Sequence, residues 1–171
     1  ATSNERIFKS LAAQEIDLNN FTGFRFITLD GLQDQTRDIY DKISGTIRWV
    51  MCEGQDDRCL DVIQNECKDK RVFLITSGSI GSNIVPKIHE LPQIYAIYVY
   101  CSDVNRHQEW AKNFSKVRIV CNDDDEINYA LYDSTASTAK KDLEILKKTV
   151  FEAFTNSATG LQHRLLTLDG K

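Results

Sequence analysis

Two stretches of this chain, Val72-Phe73-Leu74-Ile75-Thr76 and Ile94 to Cys101, are apolar almost without interruption. A strand with one wet face alternates apolar and polar residues, whereas an unbroken apolar strand is covered on both faces. One helical segment separates the two stretches, so they read as neighbouring parallel strands inside a sheet, with helices above and below.

The rest of the chain repeats that alternation. Phe24 to Leu29 reads as a strand that ends at Asp30-Gly31, and Ile47 to Cys52 and Val117 to Cys121 read as two more. Between them, helical spacing predicts helices over 36–44, with Ile39 and Ile43 on one face and Gly45 as its stop. It predicts another over 57–67, where Cys59, Leu60, Ile63 and Cys67 share a face. A short helix is expected from about Asn83 to Leu91, with Pro86 in its first turn and Pro92 closing it, and a further one from Asn105 to Phe114, with Trp110, Ala111 and Phe114 inward. Strands two and five carry Arg48 and Arg118 among apolar residues, which suits sheet edges, where a charge discourages pairing with another sheet. The expected fold class is therefore α/β: a flavodoxin-like five-stranded parallel sheet of order 2-1-3-4-5, with helices on both faces.

The 171 residues are expected to form a single domain, 1–171, with its core over 22–133, an N-terminal helix over 5–17, and a C-terminal helix over 138–155 followed by a tail. Ser134 to Thr138 reads as a break or as the cap of a new helix. Beyond it, Leu143, Leu146, Val150, Phe151 and Phe154 form an apolar stripe. That stripe fits a final helix packed on the sheet, and it also fits a connector or dimer helix. The formal net charge of −4 and the absence of a Lys/Arg run argue against nucleic acid as a partner. No apolar run is long enough for a membrane span, and Ala1 to Arg6 lacks a signal-peptide core. Five cysteines, an odd number without a CxxC pair, read as reduced, mostly buried thiols of a cytoplasmic protein, and no metal or cofactor is expected.

In an open parallel sheet, ligands bind beyond the carboxyl ends of the strands, where the strand order reverses. Here that point lies between strands one and three, and the expected ligand-binding residues are Asp30, Ser77, Gly78, Ser79, Gly81 and Ser82. Amides of the Ser77–Ser82 segment and the start of the next helix suit a phosphate or carboxylate. The segment equally reads as a tight turn in which glycine supplies the dihedrals. Asp123-Asp124-Asp125-Glu126 reads as a helix start favoured by the helix dipole, with a hard cation as the alternative.

Three resemblances bear on function. The topology is similar to that of the receiver domain of two-component signalling. Asp30 stands where the acidic pair of a receiver lies and Ser102 matches its hydroxyl position, while Thr76-Ser77 and Cys121-Asn122 replace its aspartate and lysine. Asp57 to Glu90 resembles the middle third of Toll/interleukin-1 receptor (TIR) domains. Glu90-Leu91 matches the end of the helix that carries the catalytic glutamate of NAD-cleaving members, without the preceding Trp-Cys. The segments 72–81, 84–93, 97–101 and 109–117 resemble an uncharacterised module of large invertebrate multidomain proteins, ahead of tetratricopeptide repeats or ADP-ribosyltransferase domains. These resemblances imply a non-catalytic signalling or interaction module of a larger protein, with other protein domains or self-association as partners. The alternatives are a TIR-like NAD hydrolase using Glu90 and a sensor that holds a weakly bound nucleotide or anion at the glycine segment.

Overall fold

A computed structural model describes residues 23–30, 49–52 and 55–169 of the chain. The helices expected over 5–17 and 36–44, together with Arg48, lie outside the described residues. Among those described, the order is β1 (Phe24–Leu29), β2 (Trp49–Met51), α1 (Asp56–Asp61) running into a π-helical turn (Val62–Glu66), β3 (Arg71–Ser77), α2 (Gly78–Ile88), β4 (Ile94–Tyr100), α3 (Val104–Ala111), β5 (Val117–Cys121) and α4 (Asp124–Asp169). The chain divides into two compact units, Ala1–Leu131 and Tyr132–Lys171.

All five strands of the first unit pair in parallel, in the order 2-1-3-4-5. This is the flavodoxin-like α/β arrangement that the apolar runs and the edge charges predict. Alternate residues of each strand build two separate cores. On one face, Ile27, Leu29, Val72, Leu74, Ile97 and Val99 pack against Cys59, Ile63, Ile84, Val85 and Ile88 of α1, its π turn and α2. On the other, Phe24, Phe26, Phe73, Ile75, Ala96 and Tyr98 pack against Ile127 and Leu131 in the first turns of α4. The Phe26 and Phe73 rings stack at 5.3 Å between centroids across the β1–β3 pair.

The sheet carries two irregularities on one side. Val72 pairs with Ile94 and Phe73 with Ala96, so Tyr95 is an extra residue in β4, and its ring lies 5.3 Å from that of Phe73. Ile97 pairs with Val117 and Tyr98 with Ile119, which leaves Arg118 as an extra, exposed residue on the edge strand β5. A bulge and a charge at one edge position both discourage further strand addition.

Four local expectations are corrected by the structure. The Ser77–Ser82 segment is not a loop: α2 begins at Gly78, five residues before the expected start. Pro86 consequently sits deep in α2 rather than in its first turn, on the exposed side, where the missing amide lies away from the core. The helix after β2 changes from α to π at Val62, with the Cys67 amide donating to the Val62 carbonyl at 3.0 Å. Ser134–Thr138 neither breaks nor caps a helix, because α4 continues through it. The reason is visible in the hydroxyls. Thr135 donates to the Tyr132 carbonyl at 3.1 Å and Thr138 to the Ser134 carbonyl at 2.7 Å, so both bond back into the helix instead of forward onto free amides.

One distant side chain bonds to the π turn. Gln93 is buried, donates its side-chain amide to the Ile63 carbonyl at 3.2 Å, and accepts the Val72 amide on its backbone carbonyl at 2.7 Å. It thereby ties the end of the first helix to the start of β3. Gln93→Leu keeps the volume and removes the donor, so the chain should lose about 1–3 kcal/mol of stability. Chemical denaturation is expected to show a lower midpoint at unchanged slope; an unchanged midpoint would mean that the Ile63 carbonyl needs no donor.

Candidate functional site

The register brings the sequence-predicted residues to one edge of the sheet, with one exception. Leu29 pairs with Thr76, Ser77 with Tyr100, and Tyr100 with Cys121, so Asp30, Ser77, Ser102 and Asn122 all lie at the carboxyl ends of their strands. Asp30 is buried there. Ser77 is extended, with φ −71° and ψ 160°, and is the N-cap residue of α2 without a side-chain capping bond. Ser79 is exposed, and Ser82 donates its hydroxyl to the Ser79 carbonyl at 2.8 Å. Glu90 is the exception. It lies past the other end of α2, whose ends are about 15 Å apart by helical rise, and it is exposed near Lys116.

Gly78 and Gly81 serve a purpose that spacing alone does not reveal. Among the described glycines only Gly23 has a positive φ, so neither Gly78 nor Gly81 is present for its dihedrals. Both are buried where α2 and α3 approach each other. A Cβ on Gly78 would overlap the His107 imidazole, and one on Gly81 would lie 2.9 Å from Thr76 Cγ2 and 3.2 Å from the Trp110 ring. The His107 side is fixed in turn. Trp110 Nε1 donates to His107 Nδ1 at 3.0 Å, which leaves the ring proton of the neutral imidazole on Nε2. Trp110 meets Phe114 edge-on at 6.2 Å, and Phe114 meets His89 at 4.8 Å. Gly-x-x-Gly at 78–81 and His-x-x-Trp at 107–110 are both one helical turn apart, and that matched spacing is the signal from which the contact was legible.

Open space at this edge lies beside the glycine segment. A depression of about 580 Å³ is lined by Gln55, Asp56, Asp57, Arg58, Ile80 and Asn83, at the start of α1 and the first two turns of α2. Sequence reasoning missed its α1 side. The topology held the signal, since the segment after β2 reaches the same sheet edge. Arg58 is exposed and offers the depression a guanidinium, while Asp56 and Asp57 place two carboxylates beside it.

The acidic run is absorbed by helix capping. The Asp123 carboxylate accepts the Glu126 amide at 2.9 Å, and the Asp123 carbonyl accepts the Ile127 amide at 3.2 Å, which is an N-cap for α4. Asp124 accepts the Tyr100 hydroxyl at 2.7 Å. That hydrogen bond, aided by burial, pushes the Tyr100 phenol up to about 12. No group of three metal-ligating side chains occurs among the described residues. The five cysteines are free thiols, four of them buried. Cys59 donates to Cys52, which lowers the Cys52 thiol and raises that of Cys59. No described helix is long and apolar enough to cross a membrane.

Comparison with family models, with curated proteins and with solved structures finds no match to this chain.

Two outcomes follow from the geometry. Gly78→Ala should overpack the α2–α3 contact and cost about 1–3 kcal/mol. In combination with His107→Ala the cost should fall well below the sum of the two single changes; additive costs in a double-mutant cycle would place the strain elsewhere. Tyr100 is the second case. Its folded pKa lies above the ordinary 10, so the Tyr100–Asp124 bond contributes stability fully below pH 10 and loses it as pH rises toward 12. An ultraviolet titration of the phenols should show a late-titrating component that Tyr100→Phe loses, beside the buried Tyr98, which stays in both profiles. A variant with the same profile as the parent would contradict the assignment.

Proposed function

We propose that the chain is an interaction module of a larger signalling protein, in which the α/β unit is the scaffold and the second unit carries a contact surface. One observation carries this reading. Between Leu143 and Phe154, α4 exposes Leu143 at 49%, Ile145 at 66%, Leu146 at 58%, Val150 at 43%, Phe151 at 71% and Phe154 at 73%. Large apolar side chains scattered singly on a surface are ordinary, but Leu143, Leu146, Val150 and Phe154 share one side of the helix by spacing, and a contiguous group is what protein contact sites present. The resemblance to a receiver domain without its phosphorylation residues agrees with a domain that transmits by contact rather than by chemistry. Free thiols in all five cysteines suit a reducing compartment and support a cytoplasmic location.

The hydrolase reading asks for Glu90 beside the carboxyl ends of the strands, and the position of Glu90 at the far end of α2 speaks against it. The anion reading keeps one favourable feature. The first-turn amides of α2 receive no bond from the Ser77 side chain, and Arg58 lines the adjacent depression.

Proximity labelling in cells, with the parent chain and with Leu146→Lys/Phe151→Lys, tests the interaction reading. The expected outcome is a set of neighbouring proteins that the double substitution loses. An unchanged set would overturn the reading, as would release of nicotinamide from NAD that Glu90→Ala abolishes.

A further inference from the structure

Resting on the interaction reading, we propose that the exposed face of α4 pairs with a second copy of this chain, in parallel and in register, as a short two-stranded coiled coil over residues 132–153. The argument begins with spacing. Tyr132, Ala136, Ala139, Leu143, Leu146, Val150 and Ala153 follow one another at alternating steps of four and three. Every residue in that series is apolar and every one is exposed in the described chain. A repeat of 3.5 residues kept over three heptads defines a coiled-coil seam, in which these residues occupy the a and d positions. Thr138, buried among the described residues of this unit, lies away from the seam. Ser157 and Gly160 take the next two positions of the repeat, so the seam ends after Ala153.

The flanking charges choose the orientation. Asp142 stands at a g position and Lys147 at the e position five residues later, which are the two places that meet across a parallel pair. A parallel dimer therefore sets Asp142 of each chain against Lys147 of the other, twice by symmetry. An antiparallel pair centred on Leu143 and Leu146 brings e against e, and there Lys140 meets Lys147. Within the described chain, Lys147 reaches Glu144 at 3.6 Å with both side chains more than half exposed, a weak pairing that leaves Lys147 available. The seam also separates self-association from other contacts. Ile145 and Phe151 lie outside it and remain exposed in the dimer, so a further partner has its own surface.

Sedimentation velocity of the full chain over about 1–100 μM reads the association directly. The parent chain is expected to pass from monomer to dimer across that range, and Leu143→Lys/Leu146→Lys to stay monomeric with the near-ultraviolet circular dichroism of the α/β unit unchanged. Orientation is read from Ala139→Cys, whose new thiol faces its own copy only in a parallel pair. Mild oxidation should give a covalent dimer on a non-reducing gel that the parent chain does not give. A parent chain that stays monomeric overturns the proposal, and so does a dimer that survives the double lysine substitution. Cross-linking of Ala139→Cys with Val150→Cys, without self-linking of Ala139→Cys, overturns the parallel orientation. A monomeric parent chain whose cellular neighbours still depend on Leu146 and Phe151 removes the second copy as the occupant and leaves the interaction reading standing.

Discussion

The pairing of β3 with β4 is the contact on which the rest of the first unit depends. Val72 to Thr76 is buried without a break, and so is Ala96 to Val99. A strand pair buried on both faces has no wet side on which to place polar residues, so helices have to cover it above and below. The two cores divide the work by residue type. Most of the aliphatic side chains, with Cys52, face α1 and α2, whereas the phenylalanines and Tyr98 face the start of α4. A slip of one residue in β3 would exchange the two sets, setting Phe73 among small aliphatic partners and Leu74 among the aromatic rings. Two dissimilar cores thus hold the register more tightly than two alike ones would.

That constraint reaches the carboxyl edge of the sheet through the helices. Because α2 starts directly after β3, its first turn falls over the strand ends, where such folds place their ligands. Here the close side of that turn is occupied by protein. His107 and Trp110 fill the space that Gly78 and Gly81 leave open, and the Trp110–His107 hydrogen bond fixes both rings in place. The open depression is displaced toward α1, where carboxylates and a guanidinium share the wall. The edge is packed for rigidity on one side and polar on the other.

Much of this was legible in the sequence. The unbroken apolar runs predicted strands three and four and their central place, and Arg118 predicted the free edge at β5. The start of α2 was not legible, because Ser-Gly-Ser-Ile-Gly-Ser has the composition of a loop, and only the partner rings on α3 make a helix of it. Gly78 and Gly81 read as dihedral requirements when they are steric ones, a distinction that needs the neighbouring helix. The unbroken course of α4 was hidden for a related reason. Ser134 to Thr138 carries capping residues, and capping differs from back-bonding only in which way the hydroxyl turns. The π turn that starts at Val62 takes a hydrogen bond on Ile63 from Gln93, thirty residues further on, beyond the reach of local spacing.

The second unit follows a different rule. Its helix satisfies the Thr149 and Thr155 hydroxyls locally, on the Ile145 and Phe151 carbonyls, and it keeps large apolar groups in water. Stability resides in the sheet, and the proposed contact surface in the helix. Residue-resolved hydrogen exchange of the full chain tests that division most directly. The account predicts that the amides of β3 and β4 exchange only through global unfolding, while those of β5 and of α4 beyond Tyr132 open at lower free energy. Amides of β3 exchanging as readily as those of the edge strand β5 would contradict it.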